Sequence, residues 1–98
     1  MNYRELLEAD RRLVILKALA EDPGYSHNES VLQSVLDLFG HRVSRDQVRT
    51  LLSWLAEQGL VELDRVSSCL VARLSARGGE VAAGRTVVPG VKRPAPGN

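Results

Sequence analysis

The stretch Ser44–Gly59 constrains the fold of this chain more than any other, because both of its ends carry helix signals. Ser44 is a favoured N-cap and Gln47 follows three residues later, so the two side chains can form a capping box. Gly59 supplies the left-handed residue that commonly ends a helix. The apolar residues in between have the i, i+3, i+4, i+7 spacing of one helix face: Val48, Leu51, Leu52 and Leu55. The stretch predicts an amphipathic helix.

A short β-hairpin is predicted directly after this helix. Leu60–Asp64 suits a strand, a tight turn falls around residues 65–68, and Cys69–Leu74 suits the returning strand. Because successive side chains of a strand point to opposite faces, each strand contributes every second residue to the buried face. The residues that can share that face are Val61, Leu63, Leu70, Ala72 and Leu74. Leu60, Cys69 and Val71 interrupt the alternation, so the pattern leaves the register of the two strands open.

Two further helices are predicted before Ser44. The first covers Tyr3–Ala20, and its second half is apolar nearly all round, which places it either in a central core or against a partner subunit. The second runs from His27 to Phe39, with Ser26 and Glu29 as its capping box. Its predicted inner stripe is Val31, Leu32, Val35, Leu38 and Phe39. Two capped helices joined by a short turn that starts at a glycine form a helix-turn-helix.

The C-terminal quarter of the chain divides into a short helix and an arm. Ser75 can cap a helix over Ala76–Ala83 that stops at Gly84, although two internal glycines weaken it. Residues 85–98 contain three prolines and no helical pattern. We therefore predict one domain over residues 1–84 and an extended, mobile C-terminal arm over residues 85–98.

Length and composition exclude several classes of protein. Ninety-eight residues suffice for a single domain with its own core, and no apolar run approaches the roughly 20 residues of a membrane span. The N-terminus lacks the long apolar segment of a signal peptide. Cys69 is the only cysteine, so it has no internal disulfide partner and a reducing compartment is expected. The sequence predicts a cytoplasmic bacterial or phage-type protein with no membrane contact.

The order helix, helix, helix, hairpin, short helix is similar to that of winged helix-turn-helix domains. SRDQVRTLLSWLAEQGLVEL resembles the recognition helix and first wing strand of many bacterial regulators. LSARGGEVAAG resembles the segment after the wing in the MarR and ArsR-like families, and RTVVPGVKRP is similar to the end of small ArsR-like proteins encoded in Mu-like prophages. The resemblance implies a mainly α fold with a small β-hairpin, a winged helix-turn-helix.

The resemblance also implies which side chains would meet duplex DNA. A recognition helix lies in the major groove, where arginine pairs with guanine and hydroxyls reach phosphates or bases, while a wing tip and a basic arm can add contacts. The side chains implicated are Arg42, Ser44, Arg45, Arg49, Thr50, Ser53, Arg65, Ser67, Ser68, Lys92 and Arg93. Asp46 and Glu57 share the helix face and would repel phosphates, which fits the alternative of a solvated surface.

The sequence contains no motif of a metal site or of an enzyme active site. His27, His41 and Cys69 are far apart and do not have the spacing of metal ligands. The sequence contains no nucleophile elbow, no phosphate-binding loop and no pair of catalytic carboxylates. We therefore predict no metal, no cofactor and no enzymatic activity.

The sequence thus predicts a sequence-specific duplex-DNA-binding protein, acting as a small transcriptional regulator and a homodimer. The homodimer is inferred from the apolar half of the first helix and from the arm. The alternative is a winged-helix protein-protein interaction module, or an adaptor in a phage-type assembly. Residues 44–74 carry four basic and four acidic side chains, and this neutral balance favours the alternative. We expect Arg49→Glu to abolish DNA binding, whereas an adaptor's partner binding should largely survive it unless the same face is its interface.

Overall fold

The computed structural model describes residues 1–96. Within these residues the chain forms four helices and one three-stranded antiparallel sheet. The elements are α1 (Tyr3–Glu21), β1 (Ser26–Asn28), α2 (Glu29–Leu38), α3 (Arg45–Glu57), β2 (Val61–Val66), β3 (Cys69–Leu74) and α4 (Ala76–Ala82). The strand order in the sheet is β1-β3-β2. Across residues 1–96, no helix has the length and apolar character needed to cross a membrane.

Helix α1 is the central helix of the core, and its predicted ends are confirmed to within one residue. Asn2 caps it, since its side-chain oxygen accepts a hydrogen bond from the N–H of Glu5 at 2.8 Å. Ile15, Leu16 and Leu19 are fully buried against the other helices and the sheet. The apolar second half of α1 therefore packs largely within its own domain.

The predicted start of the second helix is wrong. Ser26 does not cap it; residues 26–28 instead form β1, in which His27 pairs with Ala72 of β3. Asn28 is the N-cap, and its side chain accepts a hydrogen bond from the N–H of Val31 at 2.9 Å. Ser26 and Asn28 are both good caps in the sequence, and the choice between them is made by the edge of β3, which offers backbone partners to residues 26–28.

The predicted inner stripe of α2 is also wrong in part. Leu32 and Leu36 are fully buried, whereas Leu38 and Phe39 are 81% and 64% exposed. Val31 is exposed as well. The helix is apolar on two adjoining faces, and tertiary packing covers only the face that contains Leu32 and Leu36.

Helix α3 matches its prediction closely. Ser44 and Gln47 form the capping box: the Ser44 hydroxyl accepts from the N–H of Gln47 at 3.1 Å, and the N–H of Ser44 donates to Oε1 of Gln47 at 2.8 Å. Gly59 follows the helix with φ of 73°, a left-handed conformation. The predicted stripe is buried throughout: Val48, Leu51, Leu52 and Leu55.

The hairpin is confirmed, and the structure gives its register, which the sequence pattern leaves open. Val61 lies opposite Leu74, and Leu63 lies opposite Ala72, so the predicted residues share one face of the sheet. Strand β2 extends two residues further than predicted, to Val66, which leaves Ser67 and Ser68 as a two-residue turn. Ser67 has a φ of 60°, as tight hairpin turns require.

A buried histidine fixes the turn between α2 and α3 to α1. His41 is 6% exposed, and its Nε2 lies 2.7 Å from Oδ2 of Asp10. Arg11 donates from Nε to Nδ1 of His41 at 3.3 Å. The imidazole therefore has a polar partner on each nitrogen, which offsets the cost of its burial.

The segment after α4 differs from the predicted arm, because it packs along α1. Val88 and Val91 are buried in the core, and the N–H of Lys92 donates to the carbonyl of Ala9 at 3.1 Å. Arg12 donates to the carbonyl of Gly90 at 2.9 Å. The same guanidinium lies over the ring of Trp54, 3.9 Å from its centroid. Prolines rule out a helix here but leave the valines free to pack, so the packed domain extends beyond Gly84.

Two adjacent valines test this packing. Val88 is 4% exposed and Val87 is 57% exposed. We expect Val88→Ala to lower the free energy of unfolding by about 2 kcal/mol, because it removes buried methyl groups and leaves a cavity. Val87→Ala is expected to change it by less than about 0.5 kcal/mol. Urea unfolding followed by circular dichroism measures both; equal, small effects would indicate a segment that does not contribute to the core.

Candidate nucleic-acid interface

The outer face of α3 lies opposite its buried stripe. Thr50 and Ser53 are exposed there, together with the acidic side chains Asp46 and Glu57. The Thr50 hydroxyl donates to the carbonyl of Asp46 at 3.1 Å, within its own helix. This face carries the exposed hydroxyls predicted for it. It also carries the carboxylates of Asp46 and Glu57, which would repel a phosphate.

Arg49 is held by a buried carboxylate that the sequence analysis missed. Glu29 is fully buried, and Arg49 donates to both of its oxygens, from Nε at 2.5 Å and from Nη2 at 3.1 Å. The N–H of Leu70 donates to the same carboxylate at 2.6 Å. The hydrogen bond from Arg49, followed by that from Leu70, lowers the pKa of Glu29 from 4.5 to about 2. The Glu29 carboxylate in turn raises the pKa of Arg49.

This ion pair joins three elements: Glu29 begins α2, Arg49 lies on α3, and Leu70 belongs to β3. Nη2 of Arg49 also lies 3.5 Å from the carbonyl of Ser68 in the hairpin turn. The predicted DNA contact Arg49 is therefore engaged in fixing the hairpin beside α3. An acidic residue on the same helix face as Leu32 and Leu36 is the sequence signal that could have revealed Glu29.

The arginines near the start of α3 also have polar partners. Arg45 donates from Nε to the side-chain oxygen of Gln33 at 2.9 Å. Arg42 is almost fully exposed and lies 3.8 Å from a carboxylate oxygen of Asp37. The Ser44 hydroxyl accepts the capping hydrogen bond. These three predicted contacts lie at the N-terminal end of α3, where the side chains of Arg42 and Arg45 are both exposed.

The hairpin tip presents the other predicted group. Arg65, Ser67 and Ser68 are exposed there. Asp64 lies next to Arg65 and accepts a hydrogen bond from its backbone N–H at 3.1 Å. The contact between Arg49 and Ser68 brings this tip beside the outer face of α3.

Lys92 and Arg93 lie elsewhere. The ammonium of Lys92 is 3.5 Å from Oδ1 of Asp10 on α1, and the backbone N–H of Lys92 donates to the carbonyl of Ala9. Both side chains are exposed. The described contacts attach Lys92 to α1, and none of them joins Lys92 or Arg93 to α3 or the hairpin.

Metal ligands do not gather in the part of the chain that the structure describes. No group of three or more His, Cys, Asp or Glu side chains there could hold an ion. Cys69 is a free, partly buried thiol.

Comparison with known proteins relates the chain to one phage protein. The gp26 protein of Escherichia phage Mu is 51% identical over 92 residues, an alignment that covers 94% of this chain and 95% of gp26. This chain belongs to the gp26 family. A protein of Haemophilus influenzae (strain KW20 Rd) is 49% identical over 78 residues, which cover 79% of this chain and 76% of that protein.

Membership of the gp26 family brings no activity with it, because both relatives are described as uncharacterized proteins. No protein-family model matches the sequence. No solved structure matches it either. The contacts and charges of this chain's own side chains are therefore the basis for assigning its function.

Proposed function

We propose that this protein is a winged helix-turn-helix protein that binds duplex DNA and acts as a small transcriptional regulator in the cytoplasm of a phage host. The proposal rests on one observation above all. Arg49 of α3 binds Glu29, which also accepts from the N–H of Leu70, and its Nη2 lies 3.5 Å from the carbonyl of Ser68, so the hairpin tip is held beside the outer face of the helix.

The dimensions of this surface suit a duplex. An α-helix with its side chains is about 10–12 Å wide, and the major groove of B-DNA is about 12 Å wide. With α3 in the groove, Arg45, Thr50 and Ser53 meet base edges or phosphates. The hairpin tip, with Arg65, then reaches the adjacent backbone or minor groove.

The role of Arg49 in this proposal is positioning. Its guanidinium already donates two hydrogen bonds to Glu29, and breaking them would leave a buried carboxylate without its cation. Arg49→Glu places two carboxylates against each other and disrupts the fold. Loss of DNA binding in that variant therefore does not distinguish a reader of DNA from an adaptor.

Exposed hydroxyls give a sharper test. We expect the full chain to bind fluorescently labelled random-sequence duplex DNA with a dissociation constant of roughly micromolar order at low salt, and affinity to fall as salt rises. Thr50→Glu and Ser53→Glu should each weaken binding at least about 10-fold, because they place a carboxylate against the phosphates. Fluorescence anisotropy measures both effects.

Ala76→Glu is the matched control, since it adds the same charge to an exposed residue in the first turn of α4, where a carboxylate is well tolerated. It should bind DNA nearly as the wild type does. Absence of binding at low salt, or equal binding by all three variants, would overturn the proposal.

A second candidate function is an adaptor that binds protein through the same fold. Two of the three arginines near α3 face carboxylates, since Arg49 binds Glu29 and Arg42 lies 3.8 Å from Asp37. Asp46 and Glu57 add two negative charges to the outer face of α3, so little net positive charge remains for phosphates, and this observation favours a protein partner. The salt titration separates the two functions. That the chain is no enzyme and needs no cofactor stays a prediction.

A further inference from the structure

Helix α2 turns a second apolar face away from the core. Val31, Val35 and Leu38 follow one another at the spacing of a single helical stripe, and Phe39 continues it at the C-cap. Nothing in residues 1–96 covers Leu38 or Phe39. A helix that is apolar on two faces is normally buried on both.

A groove between α1 and α2 borders this face. The groove is open to solvent and has a volume of about 860 Å³, and apolar side chains of both helices line it, among them Val14, Ala18 and Val35. Leu38 and Phe39 stand at its edge and project into solvent. The groove and the projecting side chains of Leu38 and Phe39 are thus adjacent on one surface.

We propose that this groove is the interface between two copies of this chain, joined as a twofold-symmetric homodimer. A twofold interface brings the same patch of both subunits together, so the patch must be complementary to itself. Here the projecting Leu38 and Phe39 of one copy fill the groove of the other. The small side chain of Ala18 lets the two α1 helices approach closely.

The charges on the groove support a second copy as its occupant. Lys17 and Glu21 both line it, one helical turn apart on α1, and within residues 1–96 neither forms an ion pair. A twofold axis that crosses α1 between these residues sets the two helices antiparallel. Lys17 then faces Glu21 of the partner subunit, and the pairing occurs twice. Each copy therefore contributes one cation, Lys17, and one anion, Glu21, to the interface.

The inference goes beyond DNA binding and does not depend on it. The first experiment is sedimentation equilibrium of the full chain, from about 1 to 100 µM, a range that detects dimers with micromolar dissociation constants. We expect a dimer in the wild type. Leu38→Glu should raise the dissociation constant at least about 100-fold, because it places two carboxylates in an apolar interface.

Val87→Glu is the matched control, since Val87 is a comparably exposed apolar residue outside the groove. It should leave the dimer intact. Circular dichroism verifies that each variant is folded, which is expected because both sites are exposed. A monomeric wild type, or equal effects of the two variants, would overturn the proposal.

A charge exchange identifies the occupant. Lys17→Glu gives a copy with two carboxylates at the interface, and Glu21→Lys gives a copy with two ammonium groups. Each variant alone should dimerise more weakly, because like charges then face each other across the twofold axis. Mixing the two variants should restore association, as a heterodimer in which every pair is attractive.

Restoration by mixing requires that the two residues meet across an interface between copies. If each variant is weakened and the mixture stays weak, the groove is not the twofold interface proposed here. If neither variant changes association, the dimer uses a different surface. Native mass spectrometry resolves the heterodimer directly when one copy carries a mass tag.

Discussion

Glu29→Ala is expected to lower the melting temperature by more than about 10 °C, a large effect for a domain of this size. The substitution removes the carboxylate that accepts two hydrogen bonds from Arg49 and one from the N–H of Leu70. The Leu70 N–H loses its acceptor in a partly buried site, and Arg49 loses its anion. Thermal unfolding followed by circular dichroism measures the loss.

Glu57→Ala serves as the control, because Glu57 is an exposed glutamate on α3. Its melting temperature should stay within about 2 °C of the wild type. Glu29→Ala melting near the wild-type temperature would contradict the structural role of the pair.

The same carboxylate sets a pH dependence. The folded protein holds the pKa of Glu29 at about 2, below its ordinary value of 4.5, so the folded state binds this proton less readily than the unfolded state does. The resulting stabilisation is complete above about pH 4.5 and is lost as the pH falls toward 2. Glu29→Gln has no charge to titrate there. Urea midpoints between pH 7 and pH 2.5 should fall less steeply in Glu29→Gln than in the wild type.

Gly78→Ala is expected to lower the free energy of unfolding by about 3 kcal/mol or more, because it overpacks the core. A Cβ at Gly78 would lie 2.0 Å from the carbonyl oxygen of Leu60 and 2.7 Å from Cδ1 of Leu74. The carbonyl is backbone and accepts a hydrogen bond from the N–H of Ser75, so it cannot move away freely. Helix propensity alone gives the opposite sign, since alanine favours helices over glycine.

The neighbouring glycine provides the control. A Cβ at Gly79 would have Cδ2 of Leu74 as its nearest neighbour, at 3.8 Å, an ordinary contact. Gly79→Ala should therefore stabilise the protein by up to about 1 kcal/mol, through helix propensity and the lower entropy of the unfolded chain. Urea unfolding should give opposite signs for the two variants. A stabilising Gly78→Ala would show that α4 does not pack against the Leu60 carbonyl.

Sequence and structure agree most closely over α3 and the hairpin. The capping box of Ser44 and Gln47, the glycine after the helix and the alternation along β2 and β3 are all local signals. Each depends on residues a few positions apart, so the chain need not be folded to reveal it. The buried stripe of α3 follows from those signals alone, whereas the register that sets Leu63 opposite Ala72 comes from the structure.

The candidate site was predicted less well, and the reason is long-range pairing. Thr50 and Ser53 are exposed as expected, because their position opposite an apolar stripe fixes their direction. Arg49 shares that periodicity, but a glutamate 20 residues earlier holds it. Lys92 was predicted in a mobile arm and lies beside Asp10, 82 residues earlier in the chain. Periodicity carries no information about partners at such separations.

Local signals in the chain are enough to place the helices α1 and α3 and the hairpin, since caps, glycines and apolar periodicity act within a few residues. Other features depend on the folded chain: residues 26–28 join the sheet, Glu29 binds Arg49, Val88 and Val91 enter the core, and α2 leaves an apolar face uncovered. Each of these depends on which distant surface is available to pair, and that surface exists only once the chain has folded.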